Sequence, residues 1–204
     1  MKLIALLFLL TFSSCYTFYS STGVKFHKLH LSNDEVLTFE SDERIKNIKP
    51  FNSTEFNNFQ TAVSISYRTI TKYSIKTLED SLSRFAIIFY NPKCKSSVNT
   101  IQKVSKIASK NKAVFLVSLS YNINSIEKCL WGTNLLNEPI LILSAESYGR
   151  KMELKKLLFL KDICNDCYSK YRGDLLNAQA VIFTNGSYEI LFHFDKEYVE
   201  SKMD

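Results

Sequence analysis

Residues 85–97 of this 204-residue chain read FAIIFYNPKCKSS, and this stretch decides the fold. Residues 85–90 form a continuous apolar run, which is typical of a central strand buried on both faces of a sheet. Pro92 interrupts the run, and Cys94 then comes directly before a helical pattern. The stretch therefore predicts a buried strand, a turn and a helix, with a cysteine at the helix N-terminus.

The segments after Cys94 alternate between helical and strand-like patterns. Apolar residues recur at helical spacing over residues 96–110, with lysines between them. The patterns that follow predict a buried strand over 113–120, a short helix capped by Asn124 or Ser125, a brief strand over 139–143, and one or two helices over 152–171.

The C-terminal region predicts a β-hairpin. Residues 180–184 and 188–194 are strand-like, and the Asn185-Gly186 pair between them supplies the positive φ angles of a two-residue turn. Strand, helix, strand, helices and hairpin in this order predict an α/β fold, with a mixed β-sheet flanked by helices on both faces.

The region before residue 77 carries few helix signals. Strand candidates lie at 24–31 and 36–39, residues 63–70 alternate close to the period of a half-buried strand, and the polar stretch 41–58 is interpreted as a loop. Thr77 is placed to cap the first helix. We therefore expect an N-terminal β-rich extension over residues 15–76 and the main domain over residues 77–204.

The N-terminus has the pattern of an export signal. Lys2 precedes an unbroken apolar run over residues 3–10, which is shorter than a membrane span. The segment Phe12-Ser13-Ser14-Cys15 resembles a bacterial lipobox, although Phe12 replaces the usual leucine. We expect residues 1–14 to be a lipoprotein-type signal peptide and Cys15 to carry a lipid that anchors the protein in the cell envelope. Ordinary secretory cleavage or an uncleaved anchor are the alternatives.

Composition narrows the classes of function. The formal net charge is +6, but lysines and carboxylates are interspersed, and no basic cluster carries interleaved aromatic residues. Nucleic-acid binding is therefore not predicted. The chain has no Gly-x-Ser-x-Gly elbow, phosphate loop or dinucleotide fingerprint, so these other catalytic arrangements are not predicted. We also expect no cofactor.

The setting of Cys94 favours a reactive thiolate, because a helix N-terminus and the neighbours Lys93 and Lys95 stabilise the anion. Ser97 occupies the position of a resolving cysteine, so no disulfide can close within the motif. A Cys-x-x-Ser site can still form a mixed disulfide or be oxidised to a sulfenic acid. The alternative is an unreactive cysteine in a scaffold with another role, or a bridge to Cys129, which we expect to be buried on a helix.

A second cysteine motif, Cys164-Asn165-Asp166-Cys167, has redox spacing but follows an amphipathic helical pattern over residues 154–163 instead of a buried strand. It is a local structural disulfide, a resolving pair for Cys94, or half of a metal site. The expected export favours the local disulfide. A metal site is least favoured, because His27, His30 and His193 show no matching spacing.

In these features the chain resembles the thioredoxin-like superfamily, especially its exported peroxiredoxin and cytochrome-maturation relatives. The resemblance covers residues 77–199 and rests on the strand 85–90 with Asn91-Pro92-Lys93-Cys94, the helix after it, the strand 113–120 and the terminal hairpin. In such proteins an aromatic-x-Pro-x-Cys segment ends the first core strand and places the cysteine at a helix N-terminus. With its leader, the chain is similar to thioredoxin-like lipoproteins of Bacteroidota.

The resemblance implies a site at Cys94, with Pro92 and Ala178 in the loops that surround it, and two departures from the family. Active members carry a second cysteine where this chain has Ser97. They also have a cis-proline facing the active cysteine, and spacing from the hairpin puts Ala178 at that place. The implied function is exchange with thiols or disulfides of exported proteins at the envelope; the alternative is a catalytically inactive binding lipoprotein of the same fold.

Overall fold

The computed structural model describes residues 43–46, 48–51, 67–108, 113–131, 133, 140–149 and 151–203. The expected signal peptide, Cys15 and the strand candidates at 24–31 and 36–39 lie outside these residues. His27 and His30 also lie outside them.

The described strands are β1 (Lys49–Pro50), β2 (Tyr67–Ile70), β3 (Arg84–Tyr90), β4 (Val114–Ser118), β5 (Ile140–Leu143), β6 (Ala180–Thr184) and β7 (Ser187–Leu191). They form one seven-stranded sheet in the order β1-β2-β5-β4-β3-β6-β7. In this sheet order, the first five strands, β1-β2-β5-β4-β3, are parallel to one another. The β3–β6 and β6–β7 pairs are antiparallel. Strand β3 therefore joins the parallel part of the sheet to the antiparallel hairpin.

The described helices are α1 (Glu43–Lys46), α2 (Lys72–Ser81), α3 (Lys95–Ala108), α4 (Ile123–Leu130), α5 (Ala145–Tyr148), α6 (Met152–Ile163), α7 (Asn165–Tyr171) and α8 (Lys196–Met203), with a 3₁₀ turn over Arg172–Asn177. Strands β2, β3, β4 and β5 lead into α2, α3, α4 and α5 respectively. We call the side of the sheet where these four parallel strands end the carboxyl edge.

Side chains of β3 alternate between cores on the two faces of the sheet. Phe85, Ile87 and Phe89 pack in the cluster that α2, α6 and α7 cover, whereas Ile88 and Tyr90 pack in clusters with α3, α4 and α8. All five are buried, and each side chain of this kind stabilises the fold by about 1.5–3 kcal/mol. Burial on both faces explains why the strand has no polar alternation.

The predicted α/β class is confirmed, with a mixed sheet and helices on both faces. The predicted hairpin is also present, with Asn185 at φ 48° and Gly186 at φ 85° in its turn. Helix α4 begins two or three residues earlier than predicted. The Oδ1 atom of Asn122 accepts the Ser125 N–H at 2.9 Å, so the cap is neither Asn124 nor Ser125.

The start of α2 also corrects the sequence prediction. Thr71 is the N-cap: its Oγ1 accepts the Ser74 N–H at 3.5 Å, and its own N–H donates to Ser74 Oγ at 3.3 Å. Thr77 lies inside the helix, where its hydroxyl donates to the Tyr73 carbonyl. The prediction missed this capping box because a serine fills the position at which glutamate or glutamine is the usual signal.

The expected domain boundary between residues 76 and 77 falls inside α2. Strand β2, which was predicted within the extension, pairs in parallel with β5 and is part of the main sheet. Residues 43–46 and 49–50, predicted as loop, form α1 and the two-residue strand β1. The described part of the extension therefore continues the same sheet, because β1 pairs with β2.

We predict that Thr71→Ala lowers the free energy of unfolding by about 1 kcal/mol, the usual cost of losing an N-cap side chain. The matched control is Thr77→Ala, which removes a hydroxyl from the middle of α2 and should change stability by less than about 0.5 kcal/mol. Urea titration followed by far-UV circular dichroism measures both. Equal losses in the two variants would contradict the assignment of Thr71 as the cap.

Candidate functional site

Cys94 lies at the carboxyl edge, in the turn between β3 and α3. Its N–H donates to the Asn91 carbonyl at 3.0 Å, and the Lys93 N–H donates to Asn91 Oδ1 at 3.0 Å. The asparagine side chain thus stabilises the turn at Pro92 in the way that such side chains commonly do. Cys94 is half-buried and in the thiol form, and α3 begins at the next residue.

Ser97 ties the first turn of α3 to the end of β3. Its Oγ accepts a hydrogen bond from the Asn91 N–H at 3.2 Å, and the side chain is half-buried. A hydroxyl forms no disulfide. The residue three positions after Cys94 therefore holds the turn together and leaves the thiol without a resolving group within its own motif.

Two segments flank the end of β3 at the carboxyl edge. On one side the Leu119 N–H donates to the last carbonyl of β3 at 2.9 Å; on the other, the Phe89 N–H donates to the Gln179 carbonyl at 2.9 Å. Ala178 directly precedes this bonded residue and is buried. The structure therefore brings the Ala178 segment to the same end of β3 that Cys94 follows.

Two buried lysines of α6 fasten these flanking segments. Lys155 Nζ donates to the Leu119 carbonyl at 2.9 Å and lies 4.0 Å from the centroid of the Tyr121 ring. Lys156 Nζ donates to the Ala178 carbonyl at 3.0 Å and to a further carbonyl in the 3₁₀ turn. The two lysines are 1% and 7% exposed. Because a buried ammonium is costly unless it is hydrogen-bonded, these contacts fix α6 against both flanks.

Sequence reasoning missed these lysines, because it interpreted residues 154–163 as an amphipathic helix and assigned no role to the lysines in it. In the structure Leu154 is 40% exposed, whereas Lys155 and Lys156 are buried. The available signal was the unbroken apolar run over residues 157–160, which leaves α6 without a regular polar face. A helix of this kind can carry polar groups inward to meet backbone carbonyls.

Buried phenols complete the carboxyl edge. The Tyr121 hydroxyl donates to the Leu143 carbonyl at the end of β5, and burial raises the pKa of Tyr121. The Tyr148 hydroxyl accepts the Lys72 N–H at 2.9 Å, and burial raises the pKa of Tyr148 to about 12. Both phenols therefore stay protonated at neutral pH, so they hold the loops in place and are unsuited to act as bases.

Cys129 lies on α4 and is half-buried. It packs against the core cluster that contains Tyr90 and the buried apolar residues of the same helix. It is in the thiol form, as is Cys94, so the structure contains no bridge between them. Burial raises the pKa of Cys129. A raised pKa leaves less thiolate at neutral pH, which makes Cys129 a weaker nucleophile than an ordinary cysteine.

Cys164 and Cys167 are joined by a disulfide at the junction of α6 and α7. Cys164 is half-buried and is the N-cap of α7; Cys167 is buried in the core beneath it. The structure thus has these two sulfurs in a local bridge and not in a bond with Cys94.

Among the described residues, no group of three or more His, Cys, Asp or Glu side chains is placed to hold a metal ion. His193, which follows β7, is exposed. Within the same ranges, no helix has the length and apolar character needed to cross a membrane.

The chain matches no protein-family model, and comparisons with curated proteins and with solved structures find no match either.

We predict that Lys156→Met lowers the free energy of unfolding by about 1–3 kcal/mol, because the carbonyls of Leu176 and Ala178 lose their donor. Lys161→Met is the matched control on the same helix; Lys161 is exposed, and its loss should change stability by less than about 0.5 kcal/mol. Chemical denaturation measures both variants. A Lys156→Met protein as stable as the unaltered chain would mean that burying the charge costs as much as its hydrogen bonds contribute.

Proposed function

We propose that this chain is a thioredoxin-like protein that exchanges disulfides through the single thiol of Cys94. The observation that carries the proposal is the position of this thiol, which is half-buried in the turn between a strand buried on both faces and a helix of 14 residues. The N–H groups of the first helical turn lack partners within the helix and favour an anion at that end.

The order of elements around the thiol supports the proposal. Strand β3, the turn with Pro92, Cys94 and α3 follow one another as they do in thioredoxin-like proteins, and β6 of the terminal hairpin pairs directly with β3. Ala178 comes directly before the Gln179–β6 segment that adjoins the end of β3. These are the features on which the resemblance rests.

The proposed reaction needs one thiol of this chain and one disulfide of a partner. The Cys94 thiolate attacks a sulfur of the partner's disulfide, which breaks as the mixed disulfide forms, and the partner's other sulfur leaves as a thiolate and takes up a proton. A second thiol, from the partner or from a small thiol compound, then displaces Cys94 and forms the new disulfide. Ser97 cannot supply this thiol, so the chain depends on an external one.

We place the reaction outside the cytosol. The N-terminal pattern ending at Cys15 supports export with a lipid anchor. The Cys164–Cys167 bond fits an exported protein, because disulfides persist outside the reducing cytosol. The partners are then exported proteins with accessible thiols or disulfides at the surface of the envelope membrane.

We predict that Cys94 reacts with a chromogenic aromatic disulfide at pH 7 faster than Cys129, because burial raises the pKa of Cys129 and leaves it a smaller fraction of thiolate. The full chain with Cys15→Ser is compared with and without Cys94→Ser; Cys129→Ser is the matched control. Because burial raises the pKa of Cys129, its rate should keep rising at pH values where an ordinary thiol has levelled off. A fast reaction that survives Cys94→Ser would overturn the proposal.

A second candidate, a catalytically inactive binding module, is favoured by the bonding of the Ala178 segment. In thioredoxin-like enzymes the corresponding segment faces the active cysteine. Here Ala178 is buried and its carbonyl is bonded to Lys156. A segment held in this way is a rigid support, and the module would bind its partner without any chemistry at Cys94.

Ser97→Cys separates the two candidates. The new thiol would lie three residues after Cys94, a spacing that closes a disulfide in redox motifs, so we expect the pair to bridge and to speed dithiol-driven reduction of insulin relative to the unaltered chain. Ser97→Ala is the control, because it removes the same hydroxyl without adding a thiol. A folded Ser97→Cys protein that neither bridges nor exchanges would favour the binding module.

A further inference from the structure

The disulfide between Cys164 and Cys167 stabilises the fold less than a disulfide that closes a longer loop. The two residues are only three positions apart, and the stabilisation that a disulfide provides increases with the length of the loop it closes. The junction is also held without it: the Cys164 N–H donates to the Leu160 carbonyl, and the Tyr168 N–H donates to the Cys164 carbonyl, both at 3.0 Å. The disulfide can therefore have a role other than stabilising the fold.

The two sulfurs have different surroundings. Cys164 is half-buried, and its Sγ accepts the Cys167 N–H at 3.1 Å. Cys167 is 6% exposed, and its Sγ lies 3.9 Å from the Tyr188 carbonyl on β7. An N–H donor favours a thiolate, whereas a carbonyl oxygen can accept a hydrogen bond only from a protonated thiol.

This asymmetry suits a reduced pair as well as the disulfide. On reduction, the more accessible sulfur would face a donor that stabilises its negative charge, and the buried sulfur would face an acceptor for its proton. The backbone hydrogen bonds at the junction of α6 and α7 involve no sulfur atom, so reduction of the disulfide leaves their donors and acceptors unchanged. Both redox states are therefore compatible with the same fold.

We propose that Cys164 and Cys167 form a reversible dithiol–disulfide couple, with Cys164 as the exchanging sulfur and Cys167 as the resolving one. An external thiolate attacks Cys164 Sγ, the disulfide breaks, and Cys167 leaves as a thiolate that takes up a proton and donates to Tyr188. A second external thiol then displaces Cys164 from the mixed disulfide, which gives a two-electron reduced couple and one external disulfide. The reverse sequence transfers the electron pair to a disulfide substrate.

This couple is separate from the thiol of Cys94 and does not depend on the function proposed for it. Cys167 lies against β7 of the terminal hairpin, whereas Cys94 follows β3. The chain would then carry a single-thiol site and a dithiol couple in one domain. The small thiol glutathione is a suitable probe of the couple, because its reaction requires only access to one sulfur.

The first test uses the full chain with Cys15, Cys94 and Cys129 each changed to serine. Cys164 and Cys167 are then the two cysteines that remain. In glutathione redox buffers without denaturant, alkylation and mass measurement should show a reversible passage between bridged and reduced forms, while circular dichroism stays unchanged. A bond that resists excess dithiothreitol until urea is added would overturn the proposal, and so would reduction that unfolds the domain.

The second test adds Cys167→Ser or Cys164→Ser to the same chain. We expect the remaining Cys164 to take up glutathione from its oxidised form about tenfold faster than the remaining Cys167, because the thiolate and not the thiol is the nucleophile. Equal rates, or a faster Cys167, would overturn the assignment of roles. Where a serine variant fails to fold, the native reduction of the intact couple decides the proposal.

Discussion

Strand β3 is hydrogen-bonded to β4 on one side and to β6 on the other, and its side chains from Phe85 to Tyr90 are buried on both faces. A strand in this position must be apolar throughout and must have helices over both of its surfaces. Its functional groups can then reach solvent only beyond its ends. This constraint is the physical reason that Cys94 stands in the turn after the strand, where a helix begins.

Elements with local determinants could be predicted from the sequence. The apolar run of β3 and the Asn185-Gly186 turn each carry their own signal, and both are present in the structure. The membership of β2 in the main sheet depends on pairing with β5, far along the chain, which no local pattern encodes. Helix α8 was missed because Val199 and Met203 are its buried residues and most of its other residues are charged or polar.

The residues of the candidate site also differ in whether the sequence could locate them. Cys94 could be located because strand, turn and helix are consecutive in sequence. The lysines that fasten the flanking segments could not, since their acceptors are backbone carbonyls, and a carbonyl is the same group in every residue. The bonds from Lys155 to Leu119 and from Lys156 to Ala178 join positions that only the folded chain brings together. Side-chain identity alone therefore could not indicate them.

The two outer strands of the described sheet limit how a partner can approach. Strand β1 has two residues, and one of them, Pro50, lacks a backbone donor. At the opposite side, β7 carries exposed Glu189, whose carboxylate accepts the Tyr198 hydroxyl and lies 3.7 Å from Lys202 Nζ. Short strands, prolines and charges at sheet edges discourage pairing with another chain's backbone. At both outer strands, the described sheet is therefore poorly suited to be extended by a strand from another chain.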